Sequence, residues 1–598
     1  MTNRLRNGTA ILAALCLHGC GCKRPSVVVA PRVASVSLRV ADAGGNPELK
    51  IGSAVLFGDA AATQTPEDLA RLAQQLNESC AQGPCVGGVV PLNWARPAGV
   101  GGAAATGPER PSELLLCAET QVAADGSLRN APGFQGFLDQ TTRSAQAAGG
   151  KVVVQKHYAW DYAAEPTSDR DLDPDALAAA KGDPRWALKQ INWDRAAELI
   201  RNHTGKEPGA GIVVAHMDTG YTKNCHTFSE DPEGPVQPSF GYDFFRCAKD
   251  PRDPLTPAGL PSARQPGHGT GTGSAMVAPH RPPPGCASPD YASVQGVAPA
   301  AELVPIRVAD GILLGLPPIP KALFEEAGGV DIDHRVKALA AGIEHATRSP
   351  SLVGALANVI SISMGGVCAE TPEEQQVNAQ LQAAIARAEQ KGVIVVAAAG
   401  QYPMPSWLRS LFFKRFPVTF PGSYPSVVAV AGSTIFGTPW KKSSRGPQVA
   451  VTAPGLGVWR AETNADGSQA LAAGEGTSFS TAITAGVAAM WLQYHGRQTL
   501  WFKYGPALGS AFRFVLAHGG TRSPQALCQD LKSEAYGPGI CGAVTAWKTA
   551  EFGPGLLDAA GLLQAALPTR EEVCQAERAR RTPKEQQAIC PETWPPVL

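Results

Sequence analysis

The chain changes its hydrophobic rhythm near residue 184. Downstream of it, to about residue 567, short apolar runs rich in Val and Ile recur: GIVVAHMD, AELVPIRV, NVISISMG, GVIVVAAAG and SVVAVAG. Such runs predict strands buried on both faces of a parallel sheet. Between two of them lies PEEQQVNAQLQAAIARAEQKG, where Val377, Leu381, Ala384, Ile385 and Ala388 fall on one helical face. Strand, helix and strand within about 40 residues make a βαβ unit, so the fold class is α/β with helices covering a parallel sheet. Upstream the pattern is mixed. SVSLRV and KVVVQKHY predict strands, and TPEDLARLAQQLN predicts a helix capped by Thr65. The stretch ARPAGVGGAAATGPERP reads as a linker or long loop. The N-terminal region is therefore a smaller α+β unit, and Glu165–Asp183, acidic and Pro-containing, reads as an exposed spacer.

The first residues carry a different signal. Arg4 and Arg6 precede a short apolar run that ends in LHGC, Leu17–Cys20. The run is too short to span a bilayer and reads as the core of an export signal. LHGC resembles the lipobox of bacterial lipoproteins, which implies lipidation at Cys20 and a membrane anchor in the cell envelope. His18 is atypical there, and the plainer alternative is an ordinary export signal. No later run reaches the roughly 18 apolar residues of a spanning helix. The resulting division is a signal at 1–19, a tether at 20–36, an N-terminal region at 37–163, a spacer at 164–182, the α/β domain at 183–568 and a charged C-terminal tail at 569–598.

Lys and Arg number 52 and so do Asp and Glu, with no basic stripe, which argues against nucleic acid as a partner. Of 14 cysteines, removal of Cys16 with the signal and of Cys20 to lipid leaves an even number. Cys80/Cys85, Cys225/Cys247, Cys528/Cys541 and Cys574/Cys590 are close enough in sequence to pair in an oxidising compartment. No CxxC suggests zinc.

The chemistry gathers at the ends of the apolar runs. Asp218 closes GIVVAHMD, His268 lies between glycines in PGHGTGTGSAM, and Ser478 lies in GTSFSTA ahead of a run of small residues. By local sequence alone, Ser478 reads first as a helix cap, and only second as a nucleophile set against backbone N–H groups. Acid, imidazole and hydroxyl together are the parts of an activated nucleophile. His216, two residues before Asp218 on the same strand face, reads as a buried structural histidine.

DTG, GHGTGTG and GTSFSTA, in that order, resemble the three catalytic motifs of the subtilisin-like serine proteases (peptidase S8). GVAPAAELVPIRV, SISMGG, FPGSYPSVVAVAGS, SSRGPQVAVTAPG and FGPGLLDAAGLL resemble flanking segments of that family over residues 183–566. The resemblance implies a subtilisin-like fold and an exported endopeptidase acting on protein or peptide substrates through an acyl-enzyme. Ser478 would be nucleophile, His268 general base and Asp218 its orienting acid. The Ser478 N–H would be one oxyanion donor. Ser363, Met364, Gly365 and Gly366 would edge the substrate cleft, and Gly400 would line its other wall. No cofactor is required. Calcium sites are common in the family, but no Asp-rich loop here declares one, so the metal expectation is none.

One position departs. The family's second oxyanion donor is an asparagine after AAAG, and here Gln401 follows. Gln carries the same NH₂ on a stem one methylene longer. Either it donates after a small backbone retreat, or it is displaced and the enzyme is slow, or the site is degenerate. In the last case the chain would be a peptide- or partner-binding envelope lipoprotein. The family's usual prosegment also raises two readings of residues 37–163: a segment cut off between about Ala163 and Pro184, or a permanent accessory domain.

Overall fold

The computed structural model describes residues 31–41, 50–51, 54–55, 66–80, 83–84, 86–95, 110–118, 120–122, 128–130, 133–147, 151–160, 174–224, 236–237, 240–245, 248–253, 255, 267–279, 294–309, 332–347, 357–365, 372–401, 417–464, 467–530 and 547–591. Cys20 and the export signal lie outside these, as do Gly366, the Cys225/Cys247 pair and residues 161–173.

The N-terminal region is a βαββαβ unit. Its elements are β1 (Pro31–Ala41), α1 (Pro66–Asn77), β2 (Val86–Ala95), β3 (Arg110–Ala118), α2 (Phe134–Ala147) and β4 (Lys151–Trp160). The strands pair in the order β2-β3-β1-β4, every pair antiparallel, which is a split βαβ arrangement. The Gly/Ala/Pro stretch joins β2 to β3. The unit touches the following domain where Tyr242 donates its hydroxyl to the Val89 carbonyl at 3.4 Å.

The second half of the expected spacer is a helix with one face buried. Residues Pro174–Gly182 form helix α3, with Ala176 and Ala180 buried in the main core. Its alanine run DALAAAK is a good helix former, and its small side chains allow close packing. The Ala180 carbonyl accepts from Trp459 Nε1 at 3.1 Å.

Helix α4 (Trp193–Thr204) leads into the large domain. Its sheet contains β5 (Val213–Asp218), β6 (Tyr242–Asp243), β7 (Glu302–Arg307), β8 (Val359–Ile362), β9 (Ile394–Ala398), β10 (Val428–Ser433) and β11 (Val449–Pro454). In space the order is β6-β7-β5-β8-β9-β10-β11, all parallel, continued by two short strands of which the last is antiparallel. The apolar runs are strands because both faces are covered. Val214, Val359, Ile394, Val396, Val428 and Val430 belong to one core, whereas Val213, Ala215, Met217, Ile360, Ile362, Val395 and Ala397 belong to the other. The alternation within each run is the period of two that splits a strand between faces.

Helices α5 (His268–Val277) and, after the hairpin strands β12 (Leu456–Thr463) and β13 (Gln469–Glu475), the long helix that starts at Thr477 pack on the first face. Helices α6 (Ile332–Ala346) and α7 (Pro372–Gln390) pack on the second. As expected, Leu381, Ala384, Ile385 and Ala388 of α7 are all buried. The chain leaves β5 for β6 and β7 on one side and returns to β8 on the other. That reversal opens a crevice at the carboxyl end of β5, where α/β sheets place their sites.

The charged C-terminal segment is not a loose tail. After α8 (Thr477–His495) and α9 (Leu508–His518), residues 569–590 form α10 (Arg570–Glu577) and α11 (Pro583–Ile589). Thr569 with Glu572 and Thr582 with Glu585 each close a full capping box. A Cys574–Cys590 disulfide joins the two helices, as their spacing allowed. Arg581 holds them to the domain: it donates to both oxygens of Glu389 on α7, at 2.6 and 2.9 Å, and to Glu577 at 2.6 Å. Arg513 of α9 meets Glu577 at 3.3 Å. Burial works against the Glu577 charge, but Arg513 and Arg581 hold its pKa below the usual glutamate range. Its contribution to stability is thus present above its unfolded pKa and lost as pH falls through the lower folded value. Arg581→Ala strands the buried carboxylate of Glu389 and leaves Glu577 to Arg513 alone, so it is expected to cost about 3–5 kcal/mol. A calorimetric unfolding midpoint that falls by several degrees checks this, and an unchanged midpoint refutes it.

Candidate active site

Asp218 is the last residue of β5 and is fully buried. Its Oδ1 accepts from His268 Nδ1 and from the Thr219 N–H, each at 2.7 Å. Its Oδ2 accepts from Thr272 Oγ1 at 3.1 Å. Burial opposes the carboxylate's charge, yet the His268 ring, its hydrogen bond, His216 and the Thr219 N–H together hold its pKa below the ordinary range. The group is therefore ionised, with its orienting oxygen turned toward His268.

His268 opens helix α5. Gly267 before it is the N-cap residue, in the left-handed region at φ 70°. Gly269 after it has to be glycine: an added Cβ would lie 2.0 Å from the Gly220 carbonyl and 3.1 Å from Asp218 Cβ. The helix start can press onto the strand end only because no side chain intervenes, and this contact sets the His268–Asp218 distance.

A belt of polar residues ties the two segments together. Thr219 Oγ1 donates to Asp253 Oδ2 at 2.7 Å and accepts from the Gly269 N–H at 3.1 Å. Asp253 also accepts from the Gly267 N–H at 3.1 Å. Burial pushes the Asp253 carboxyl up. Arg307, fully buried at the end of β7, donates to Asp243 at 2.7 Å and to the Thr219 carbonyl at 3.1 Å. Sequence reading did not find this belt. A lone arginine in the apolar run AELVPIRV was the available signal for Arg307. Asp253 offers none, being 35 residues from Asp218 and 15 from His268.

Ser478 is the second residue of α8, a helix buried on all sides from Thr477 to Leu492. The cap reading of this serine does not hold. Gly476 is the N-cap residue and has no side chain to make the cap bond. Ser478 Oγ donates instead to the Ser363 carbonyl at 2.9 Å, and Ser363 Oγ returns a bond to the Ser478 carbonyl at 3.2 Å. The structure thus joins His268 to Asp218 directly and Ser478 to Ser363, with the serine hydroxyl turned away from hydrogen bonding to the imidazole.

The expected cleft residues line up around it. Ser363, Met364 and Gly365 follow the end of β8, and Gly400 follows β9, in the left-handed region at φ 98°. Thr419 lies between the walls: a Cβ on Gly365 would meet its Oγ1 at 2.2 Å, and one on Gly400 at 2.6 Å. Gln401 reaches across to α8, where its Oε1 accepts from the Thr477 N–H at 3.1 Å. Among the described residues no group of three His, Cys, Asp or Glu side chains could hold a metal ion.

Residues 209–503 match the family model described as Peptidase_S8, Subtilase family. These residues belong to the subtilase family. The subtilase domain is thereby that of a serine peptidase, whose substrates are proteins or peptides. Similar solved structures include the following three. MycP1 with its N-terminal propeptide removed is 23% identical, over 64% of this chain and 98% of that one, with a TM-score of 0.39. A protease of Pseudoalteromonas arctica is 23% identical over 64% and 98%, with a TM-score of 0.42. MycP1 from Mycobacterium smegmatis is 21% identical over 64% and 85%, with a TM-score of 0.40. No curated protein matches the sequence. No helix among the described residues is long and apolar enough to cross a membrane.

Proposed function

We propose that the protein is an exported serine endopeptidase, anchored through lipid at Cys20, that cleaves extended peptide segments by an acyl-enzyme route. The observation that carries this reading is the Asp218–His268 hydrogen bond at the carboxyl end of β5, beside the start of the helix bearing Ser478. His268 Nδ1–H is committed to Asp218, so Nε2 is the lone-pair nitrogen that takes a proton. Rotation of Ser478 about its Cα–Cβ bond releases the Ser363 carbonyl and turns Oγ toward that nitrogen. Catalytic hydrogen bonds of this kind often tighten only when substrate is bound. The freed Ser363 carbonyl and the Gly365 segment would then pair with the peptide backbone as an added strand.

On attack the Ser478 proton passes to His268, and the carbonyl oxygen gains charge. The N–H of Ser478 lies in the first turn of α8 and has no intrahelical acceptor, so it is available to that oxygen. The NH₂ of Gln401 is the second donor. His268 then returns the proton to the leaving amine, and water repeats the sequence on the acyl-enzyme. The βαββαβ unit ahead of the domain acts as a prosegment whose release also frees the domain from its lipid.

The test is covalent capture. A fluorophosphonate probe is expected to modify the purified protein on the peptide that contains Ser478, as mapped by mass spectrometry. Modification of another serine, or none, overturns the assignment.

A further inference from the structure

Behind the Asp218–His268 pair lies a second imidazole. His216, 2% exposed, stands two residues before Asp218 on β5 and faces the same way. Its Nε2 is 3.0 Å from Thr272 Oγ1 and 3.5 Å from Asp218 Oδ2. Thr272 is one turn along α5 from His268 and has several acceptors within reach: Asp218 Oδ2 at 3.1 Å, the His268 carbonyl at 3.0 Å and the Gly269 carbonyl at 3.4 Å.

The hydroxyl has one proton to give. A bond to an ionised acceptor is roughly twice as strong as one to a neutral carbonyl, so the proton goes to the carboxylate. The Thr272 oxygen is then an acceptor toward His216, which must carry its proton on Nε2. The other ring nitrogen agrees: His216 Nδ1 has no hydrogen-bond partner among the described residues. A lone pair is the cheaper group to leave there, since burial favours the neutral ring.

We propose that His216 and Thr272 are positioning residues for the peptidase reaction, forming a chain from His216 Nε2–H through Thr272 Oγ1–H to Asp218 Oδ2. Oδ1 of Asp218 is used by His268 and Thr219. The chain fixes the other oxygen and hence the plane of the carboxylate, so that Oδ1 stays aimed at His268. This rests on the reading of Asp218, His268 and Ser478 as the catalytic groups.

The test measures the rate of phosphonylation by a fluorophosphonate probe as a function of its concentration, counting only protein that finally labels. Misfolded molecules then drop out. Thr272→Val keeps the shape and removes the hydroxyl. It is expected to lower the maximal labelling rate roughly tenfold to a hundredfold, the scale of one lost bond to a charged group, with the half-saturating concentration unchanged. Thr272→Ser should restore most of the rate. His216→Val should lose a similar factor, and His216→Val/Thr272→Val should be no slower than the slower single variant, because the histidine acts through the threonine. A wild-type rate for Thr272→Val overturns the proposal. So does an equal loss for Thr272→Ser, or full additivity in the double variant. Ser478→Ala is run beside them. If it still labels, the catalytic assignment itself fails. If it is silent while Thr272→Val is fast, only the positioning claim fails.

Discussion

Ser478→Ala is expected to lower turnover of a peptide substrate by roughly 10⁶, and Asp218→Ala by on the order of 10⁴, with the double variant no slower than Ser478→Ala alone. The inequality between the two follows from their roles. Without Ser478 there is no atom to form the acyl bond, so only the donors and the binding cleft remain. Without Asp218 the nucleophile and base survive, but His268 loses the oxygen 2.7 Å from its Nδ1 and the charge that stabilises its protonated form. The lack of additivity is the sharper part of the prediction. Asp218 works only through His268, and His268 works only on Ser478, so a chain already missing its last member has nothing further to lose. Both rates are to be measured with enzyme expressed in the same host and stripped of contaminating peptidases by the tag used for purification. A double variant slower than Ser478→Ala by the product of the two factors would mean that the residues act separately, and the triad reading would fail.

The fold and the candidate residues of the site are legible in the sequence for the same reason. A strand buried on both faces has no choice but an apolar run, and a polar residue that closes such a run, as Asp218 does, is conspicuous. The glycines around His268 are equally plain, because a backbone approach as close as Gly269 to Gly220 excludes every side chain. Partners were not legible. Asp253 and Arg307 reach Thr219 from distant segments, and only the sheet order brings them together. Thr272 looked like one more small residue of a glycine-rich helix. His216 reads as buried and hydrogen-bonded, as it is, but its direction toward Asp218 depends on where α5 docks. The C-terminal helices were hidden by their own charge. Glutamates and arginines of a segment that reads as a charged tail are paired inside the protein, although both capping boxes stand in the sequence as Thr-x-x-Glu.

Replacing Gln401 by Glu is expected to leave the fold intact and reduce turnover by at least the roughly 10²–10³ that loss of an oxyanion donor costs in a subtilisin. The reason lies in how the amide is held. The Thr477 N–H can only donate, so it fixes the oxygen of the amide toward itself, at 3.1 Å. The NH₂ must occupy the other branch, next to the first turn of α8, and its longer stem is taken up by this anchor. Glu has the same shape and keeps an oxygen on Thr477. It also places a negative charge at a helix N-terminus, which stabilises by about 0.3–1 kcal/mol at an exposed position. Were Gln401 only a helix cap, Glu would therefore be neutral or better in every assay. As an oxyanion donor it becomes an acceptor facing developing negative charge, and the tetrahedral step loses both a hydrogen bond and a favourable field. Gln401→Asn should also fall, since the shorter stem cannot hold Thr477 and present its NH₂ at the same depth. The measurement is kcat and KM for a peptide substrate, together with the thermal midpoint. An unchanged or raised midpoint with collapsed kcat and constant KM is the expected result. Wild-type kcat in Gln401→Glu would show that the side chain caps the helix and does nothing for the reaction.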